Sequence, residues 1–149
     1  MMKESDSQQS LKLFVVLSRA HKVITERAYR LFGEYGLNPT EFAVLELLYH
    51  RGRQPIQKIG GKILLASGSM TYVIDKLQKR GYLDRTTCET DRRVTFVDIT
   101  KEGRELLDRI FPVHEQNLHE LLGALSAEEK DTAIELLKKL GLSIKDLSK

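Results

Sequence analysis

The 149-residue sequence is poor in cysteine: Cys88 is the only one, and tryptophan is absent. One cysteine cannot form an intramolecular disulfide, and one thiol cannot build a thiolate zinc site. A glycine-rich loop of the kind that cradles phosphates is also missing from the sequence. We therefore expect a protein without disulfides, and with neither a metal nor another cofactor.

Long apolar runs are also absent. No stretch approaches the roughly 20 residues that span a bilayer, and the polar start, Met1 to Ser7, lacks the apolar part of a secretory signal. These absences predict a cytoplasmic protein with no membrane partner. Its 41% hydrophobic and 30% charged residues suit one soluble globular domain over residues 1–149.

The sequence has no recognisable catalytic motif. Ser67 and Ser69 flank Gly68 and superficially resemble a nucleophile turn, but no histidine or acidic residue is placed to activate them. We therefore expect that the protein is not an enzyme. The net charge of +3 is weak evidence for a nucleic-acid partner, because the position of the charges matters more than their sum.

Helical periodicity dominates what is present, with one short β-hairpin, so the predicted fold class is mainly α. A capping box formed by Asn38 and Glu41 begins the second helix, and another formed by Ser126 and Glu129 begins the last. Pro112 predicts a kink in the fifth helix. The first three helices are predicted at 8–32, 39–51 and 56–62. The last three are predicted at 67–80 with Ser67 as N-cap, at 101–125 with Thr100 as N-cap, and at 127–140. Strands are predicted at 82–88 and 93–99.

This order of elements indicates a winged helix-turn-helix over residues 37–100, in which the helix at 67–80 enters the major groove of DNA. An apolar stripe on that helix packs on the domain, and its opposite face is polar. The alternative is an ordinary amphipathic helix with a solvated face. We expect base contacts from Ser67, Ser69, Thr71 and Tyr72, and a phosphate contact from Lys76.

Two arginines, Arg92 and Arg93, stand at the tip of the predicted hairpin beside Asp91. An exposed arginine there can enter a narrow minor groove, where the negative potential is strongest. A neighbouring carboxylate can hold that arginine by a bidentate pair. The alternative is a turn with solvated charges.

The sequence resembles the MarR family. The resemblance covers the whole chain in element order and three motifs in detail: 38–45, 68–83, and Asp91-Arg92-Arg93 followed by 99–103. It implies a homodimer with interlocked terminal helices on a pseudo-palindromic operator, with Arg93 in the minor groove, Asp91 orienting it and Arg92 near phosphate. Tyr72 stands where many relatives carry arginine, so their base preference does not transfer. The stretch 38–83 resembles a branch that responds to quinones and phenolic stress.

The terminal segments, 8–36 and 101–149, are predicted to form the dimerisation lobe. The fifth helix is apolar around more than one face and needs more cover than one small domain supplies. A monomeric bundle is the alternative. Two separated reading heads would match half-sites about 34–36 Å apart.

A small-molecule effector is implied by the resemblance, bound where the first, second and fifth helices meet. A packed core is the alternative role for each residue near that junction. Cys88 leaves open a redox switch, although a small residue in a hairpin is the simpler interpretation. His114 and His119, with Glu115 and Glu120, are expected to be solvated rather than to bind metal. The residues that would line the effector pocket are Phe14, Arg19, His21, Tyr49 and His50.

These observations predict a homodimeric repressor that binds DNA and is released by a small molecule or by electrophilic or oxidative stress. Two alternatives stay open: a winged helix used for protein contacts, and a thiol-based regulator acting through Cys88. A salt titration separates DNA binding from protein contacts, because phosphate contacts weaken steeply with salt.

Overall fold

The computed structural model describes residues 2–62 and 69–147, and within those ranges the chain folds into six helices and three short strands. This confirms the predicted fold class. The elements are α1 (Met2–Glu34), α2 (Pro39–Arg51), β1 (Gln54–Pro55), α3 (Ile56–Lys62), α4 (Met70–Lys79), β2 (Leu83–Thr87), β3 (Thr95–Ile99), α5 (Lys101–Leu121) and α6 (Ala127–Leu147).

The predicted start and end of α2 are confirmed in detail. The Asn38 side chain accepts a hydrogen bond from the Glu41 backbone N–H at 2.8 Å, and the Glu41 carboxylate accepts one from the Asn38 N–H at 2.9 Å. Proline occupies the first turn, where its missing N–H costs nothing. Gly52 ends the helix at φ +75°, a conformation that only glycine adopts without strain.

The predicted start of α4 is wrong by two residues. Ser69, not Ser67, is the N-cap, and its hydroxyl oxygen accepts a hydrogen bond from the Tyr72 N–H at 3.4 Å. Both serines are good caps, but Ser69 directly precedes Met70, where the apolar stripe begins. Ser67 and the predicted tight connection at 63–66 lie outside the described residues. The ten residues of α4 are about 15 Å long, whereas the predicted helix at 67–80, with fourteen residues, would be about 21 Å long.

The sheet is antiparallel, with β3 between β1 and β2. Leu83 pairs with Ile99 and Thr87 with Thr95, so β2 and β3 form the expected hairpin. Val97 and Ile99 face the core, and Asp98 between them is exposed. Sequence reasoning missed β1 because it is two residues long and contains a proline, which an edge strand tolerates.

The core joins the winged segment to the end of α1 and the first half of α5. The α5 N-terminus is tied to the turn after α4: Thr100 donates from its backbone N–H to the Tyr82 carbonyl at 3.1 Å and from its hydroxyl to the Gly81 carbonyl at 2.6 Å. Thr100 also caps α5, as predicted, by accepting from the Gly103 N–H at 3.1 Å. The fully buried side chains include Val44, Leu45, Leu48, Ile59, Ile74, Leu77, Leu83, Val97, Leu107 and Ile110.

Two compact units divide the chain, residues 1–115 and residues 116–149. In the second unit, Ser126 and Glu129 form the predicted capping box, with hydrogen bonds of 2.9 and 3.1 Å. The helix that follows continues to Leu147 instead of stopping near 140. None of the helices in the described ranges combines the length and apolar character that crossing a membrane requires.

Candidate nucleic-acid interface

The α4 helix has one buried and one exposed face, as its sequence predicts. Val73, Ile74 and Leu77 are buried against the domain. Tyr72 points away from the core with 67% of its surface exposed. Ser69, Thr71, Asp75, Lys76 and Lys79 are exposed as well. The predicted contact residues within the described part of α4 are therefore accessible to a ligand.

Arg85 of β2 connects the sheet to the outer face of α4. Its guanidinium pairs with the Asp75 carboxylate and donates to the Gln78 side-chain oxygen. The pair offsets the only negative charge on the exposed face of α4, which favours approach of a polyanion. Sequence reasoning missed this contact, because the two residues lie on different elements whose packing the sequence does not specify.

At the wing tip, Asp91 holds the Arg93 guanidinium. Arg93 donates from Nε to Asp91 Oδ1 at 3.0 Å and from Nη2 to Oδ2 at 3.3 Å, the predicted bidentate pair. This contact holds the pKa of Asp91 below its usual value. The Arg93 side chain is nevertheless 90% exposed, so its orientation is restrained while its surface stays free for a partner. Arg92 is also exposed.

The backbone at Arg93 is restrained from two further directions. Gln57 of α3 donates from its side chain to the Arg93 carbonyl at 3.3 Å, and the Arg93 N–H donates to Asp91 Oδ1 at 3.1 Å. The Gln57 bond connects the wing tip to α3, and the Asp91 bond restrains the tip itself. Gln57 is a contributor that sequence reasoning did not identify.

Cys88 lies at the base of the wing with its Sγ 3.2 Å from the Thr90 hydroxyl oxygen. Hydrogen bonds from the Thr90 side chain, and then from the backbone of Asp91 and Thr90, lower the pKa of the thiol. The cause is hydrogen bonding rather than a nearby cation. Arg85, three residues before this thiol in the chain, pairs with Asp75.

We predict that replacing Thr90 by valine raises the pKa of Cys88, because it removes the hydroxyl that stabilises the thiolate. The rate of alkylation by iodoacetamide, followed from pH 6 to 10, should reach half its maximum at a higher pH in Thr90→Val than in wild type. Thr87→Val, an exposed substitution on the same hairpin, is the control. Identical profiles for all three proteins would show that Thr90 does not activate the thiol.

Tyr49 and His50, two of the predicted effector contacts, meet α5 near the end of α2. The Tyr49 hydroxyl donates to Asp108, which raises the tyrosine pKa. The His50 ring lies 4.6 Å from that of Phe111, and the Arg104 guanidinium lies 5.5 Å from the Tyr49 ring. The other three predicted contacts, Phe14, Arg19 and His21, are exposed side chains of α1 and are not enclosed by this chain alone.

His114 is not the solvated side chain that the sequence suggested. Its ring lies 5.1 Å from Phe32 and from Phe42, and its Nδ1 is buried without a hydrogen-bond partner. Burial lowers the pKa of His114, so the neutral ring is favoured there. His119 is exposed, as expected. No group of three His, Cys, Asp or Glu side chains within 2–62 and 69–147 is placed to hold a metal ion.

Comparisons with known proteins agree with this geometry. Residues 37–95 match the MarR family model. The chain is 54% identical to the HTH-type transcriptional regulator MhqR of Bacillus subtilis over 139 residues, covering 93% of this chain and 96% of that protein.

Two solved structures share the fold. BpsR of Bordetella bronchiseptica, whose DNA binding is regulated by 6-hydroxynicotinic acid, is 25% identical with a TM-score of 0.76, covering 85% of this chain and 90% of that one. Sco3205 of Streptomyces coelicolor, a MarR family regulator in complex with DNA, is 19% identical with a TM-score of 0.81, covering 91% of each chain.

Proposed function

The chain belongs to the MarR family of transcriptional regulators, and on that premise we propose that it is a homodimeric repressor whose reading heads bind both grooves of an operator. The observation that carries this proposal is the wing tip. Arg93 is almost fully exposed, yet Asp91 holds it in one orientation through two hydrogen bonds. A guanidinium presented in this way suits a narrow minor groove.

In this mechanism α4 supplies the major-groove contacts. Ser69 caps its N-terminus and Thr71 and Tyr72 lie in its first turn, where recognition helices reach base edges. Tyr72 can stack, donate a hydrogen bond or contact a thymine methyl, but it cannot grip guanine as arginine does. Lys76 and Arg92 contact phosphate, which positions the protein without reading sequence. Ser67 stays a proposed contact.

The decisive experiment is binding of the purified protein to the DNA upstream of its own coding sequence, measured across a salt series. Repressor function predicts tight binding whose logarithm falls linearly with the logarithm of salt concentration. A duplex of scrambled sequence serves as the control. Absence of binding to either duplex at every salt concentration would favour the alternative of a winged helix used for protein contacts.

The dimer is supported by apolar surface that the chain leaves uncovered. Exposed apolar side chains lie on α1 (Leu11, Leu13, Phe14, Val15, Val16, Leu17 and Val23), on α5 and the turn after it (Val113, Leu122 and Leu125), and on α6 (Ile134, Leu136, Leu137, Leu140 and Leu142). Monomeric soluble proteins rarely expose so many large apolar side chains on so few elements. A second copy of the chain is the proposed cover, formed by segments 8–36 and 101–149.

We predict that Leu137→Asp weakens the dimer at least about tenfold, because a carboxylate would have to be buried in an apolar interface. Sedimentation velocity over a concentration series measures the change. Thr132→Asp adds the same charge at an exposed polar position of α6 and is the control. Equal dissociation constants for both variants would place Leu137 outside the interface, and a monomeric wild-type protein would refute the dimer.

The proposed effector is a small aromatic molecule, such as a phenol or a quinone, bound at the junction of α2 and α5. Tyr49, His50 and Phe111 offer aromatic surface there, and Arg104 offers a cation. Regulation of BpsR by an aromatic acid supports this class of effector. Phe14, Arg19 and His21 are proposed to line the site from α1. Loss of operator binding on adding a quinone to the wild-type protein, but not to His50→Ala, would support this site.

Two further parts of the proposal follow from the same premise. The protein acts on DNA in the cytoplasm and not as an enzyme, in keeping with its family of regulators. Cys88 offers a second route of release, through oxidation or alkylation of its thiol. If a quinone still releases the Cys88→Ser protein from DNA as fully as the wild type, the thiol is not required for release. Release confined to proteins that keep the thiol would favour this route.

A further inference from the structure

Glu41 carries a buried negative charge that its role in capping α2 does not require. The residue is 2% exposed. Its Oε1 accepts the capping hydrogen bond from Asn38, but its Oε2 is buried with no hydrogen-bond partner. A buried carboxylate oxygen without a hydrogen bond is costly. Glutamine would complete the same capping box without that charge.

This oxygen faces two cations at the end of the helix proposed to read DNA. Arg80 Nη1 lies 3.6 Å and Lys76 Nζ 3.9 Å from Glu41 Oε2. Both are ion-pair distances rather than hydrogen bonds. The charge on α2 therefore acts directly on the cations of α4.

The two cations differ in what else restrains them. Arg80 donates to the Gly36 carbonyl at 2.8 Å, and its guanidinium lies 5.1 Å from the Tyr82 ring. It is thus held by three groups. The Lys76 side chain is 48% exposed, and long lysine side chains reorient easily. Lys76 is therefore the cation that can exchange Glu41 for another anion.

We propose that Glu41 competes with DNA phosphate for Lys76 and thereby lowers the affinity of the protein for DNA of any sequence. This inference rests on the proposed function, in which Lys76 contacts phosphate. Because phosphate contacts carry no sequence information, Glu41 sets the strength of binding and not its specificity. Weaker binding to the DNA backbone allows an effector to release the repressor more easily.

The test is a double-mutant cycle with Glu41→Gln and Lys76→Gln, measured by fluorescence anisotropy at one salt concentration. Glu41→Gln keeps the capping geometry, and we expect it to tighten binding about threefold to fivefold on both the upstream DNA and a scrambled duplex. In the Lys76→Gln background the same change should have no effect. Glu26→Gln, on the exposed surface of α1, removes one negative charge elsewhere and is the control for net charge.

The possible results distinguish failure of this inference from failure of the proposed DNA-binding function. A wild-type protein that binds neither duplex overturns both. A wild-type protein that binds, with Glu41→Gln unchanged, weaker, or no tighter than Glu26→Gln, overturns the inference alone. A gain in affinity from Glu41→Gln that persists in the Lys76→Gln background also overturns the inference. Loss of a purely structural contact would lower both thermal stability and affinity, so a gain that exceeds that of Glu26→Gln and requires Lys76 is specific to the proposed competition.

A second measurement needs no change at Glu41. The side-chain ammonium signal of Lys76 can be assigned in the NMR spectrum of the 15N-labelled protein by its loss in Lys76→Gln. Addition of the scrambled duplex should shift this signal as Lys76 moves from carboxylate to phosphate. An unchanged signal at saturating DNA would show that Lys76 keeps its partner and would overturn the inference.

Discussion

Replacing Gly103 with alanine is expected to destabilise the protein by about 1–3 kcal/mol or more, although alanine is the better helix former by about 1 kcal/mol. A Cβ at Gly103 would lie 2.1 Å from the Tyr82 carbonyl oxygen and 2.8 Å from the Ile99 side chain. Because the first contact is with backbone, no rotamer change can relieve it. The turn after α4 and the start of α5 would have to separate.

Thermal or urea unfolding of Gly103→Ala, followed by circular dichroism, measures this effect. Gly33→Ala is the matched control: it lies in α1, where an added Cβ meets nothing within 4 Å, so it should be neutral or stabilise by up to about 1 kcal/mol. Equal stability changes for the two variants would mean that α5 does not approach Tyr82 as closely as described.

Gly103→Ala should also affect DNA binding, because Tyr82 lies three residues beyond α4, the helix proposed to read DNA. Thr100 and Gly103 hold the turn at Gly81 and Tyr82 against the start of α5. Moving that turn changes where α4 sits relative to the start of α5. We therefore expect operator affinity to fall even at temperatures where Gly103→Ala remains folded.

The second large effect is expected from Arg93→Ala, which should weaken operator binding by about 1–3 kcal/mol, or roughly 5- to 150-fold, without unfolding the protein. The side chain is 90% exposed, so its removal leaves no cavity. Anisotropy titrations against the upstream DNA measure the loss. Arg109→Ala, an exposed arginine of α5, removes the same charge away from the wing and is the control.

Asp91→Asn tests whether orientation matters beyond charge. Asparagine keeps the size of the side chain but gives Arg93 a neutral and weaker partner. If Asp91 orients Arg93, affinity should fall despite the gain of one positive charge near DNA. Tighter binding by Asp91→Asn would show that Asp91 only repels phosphate, and an unchanged affinity in Arg93→Ala would remove the wing from the interface.

The sequence by itself determined the parts of this protein that depend on neighbours along the chain. A capping box needs residues three apart, and an amphipathic helix has an apolar stripe at helical spacing, so the ends of α2 and the buried face of α4 were predictable from sequence. The Asp91–Arg93 pair spans two residues of one turn, and it too was predictable. The choice of Ser67 as N-cap of α4 was wrong although the apolar stripe, which begins at Met70, indicates Ser69.

Only the tertiary structure decided the contacts between residues that are far apart in sequence. Arg85 meets Asp75 because β2 packs beside α4, and the half-buried His114 ring packs against the aromatic pair Phe32 and Phe42 because α5 passes beside it. The sequence predicts only a capping role for Glu41, whereas the structure also places Lys76 and Arg80 within ion-pair distance of its carboxylate. The physical reason is that packing sets the distance between such groups, whereas periodicity and spacing report only on a residue's own element.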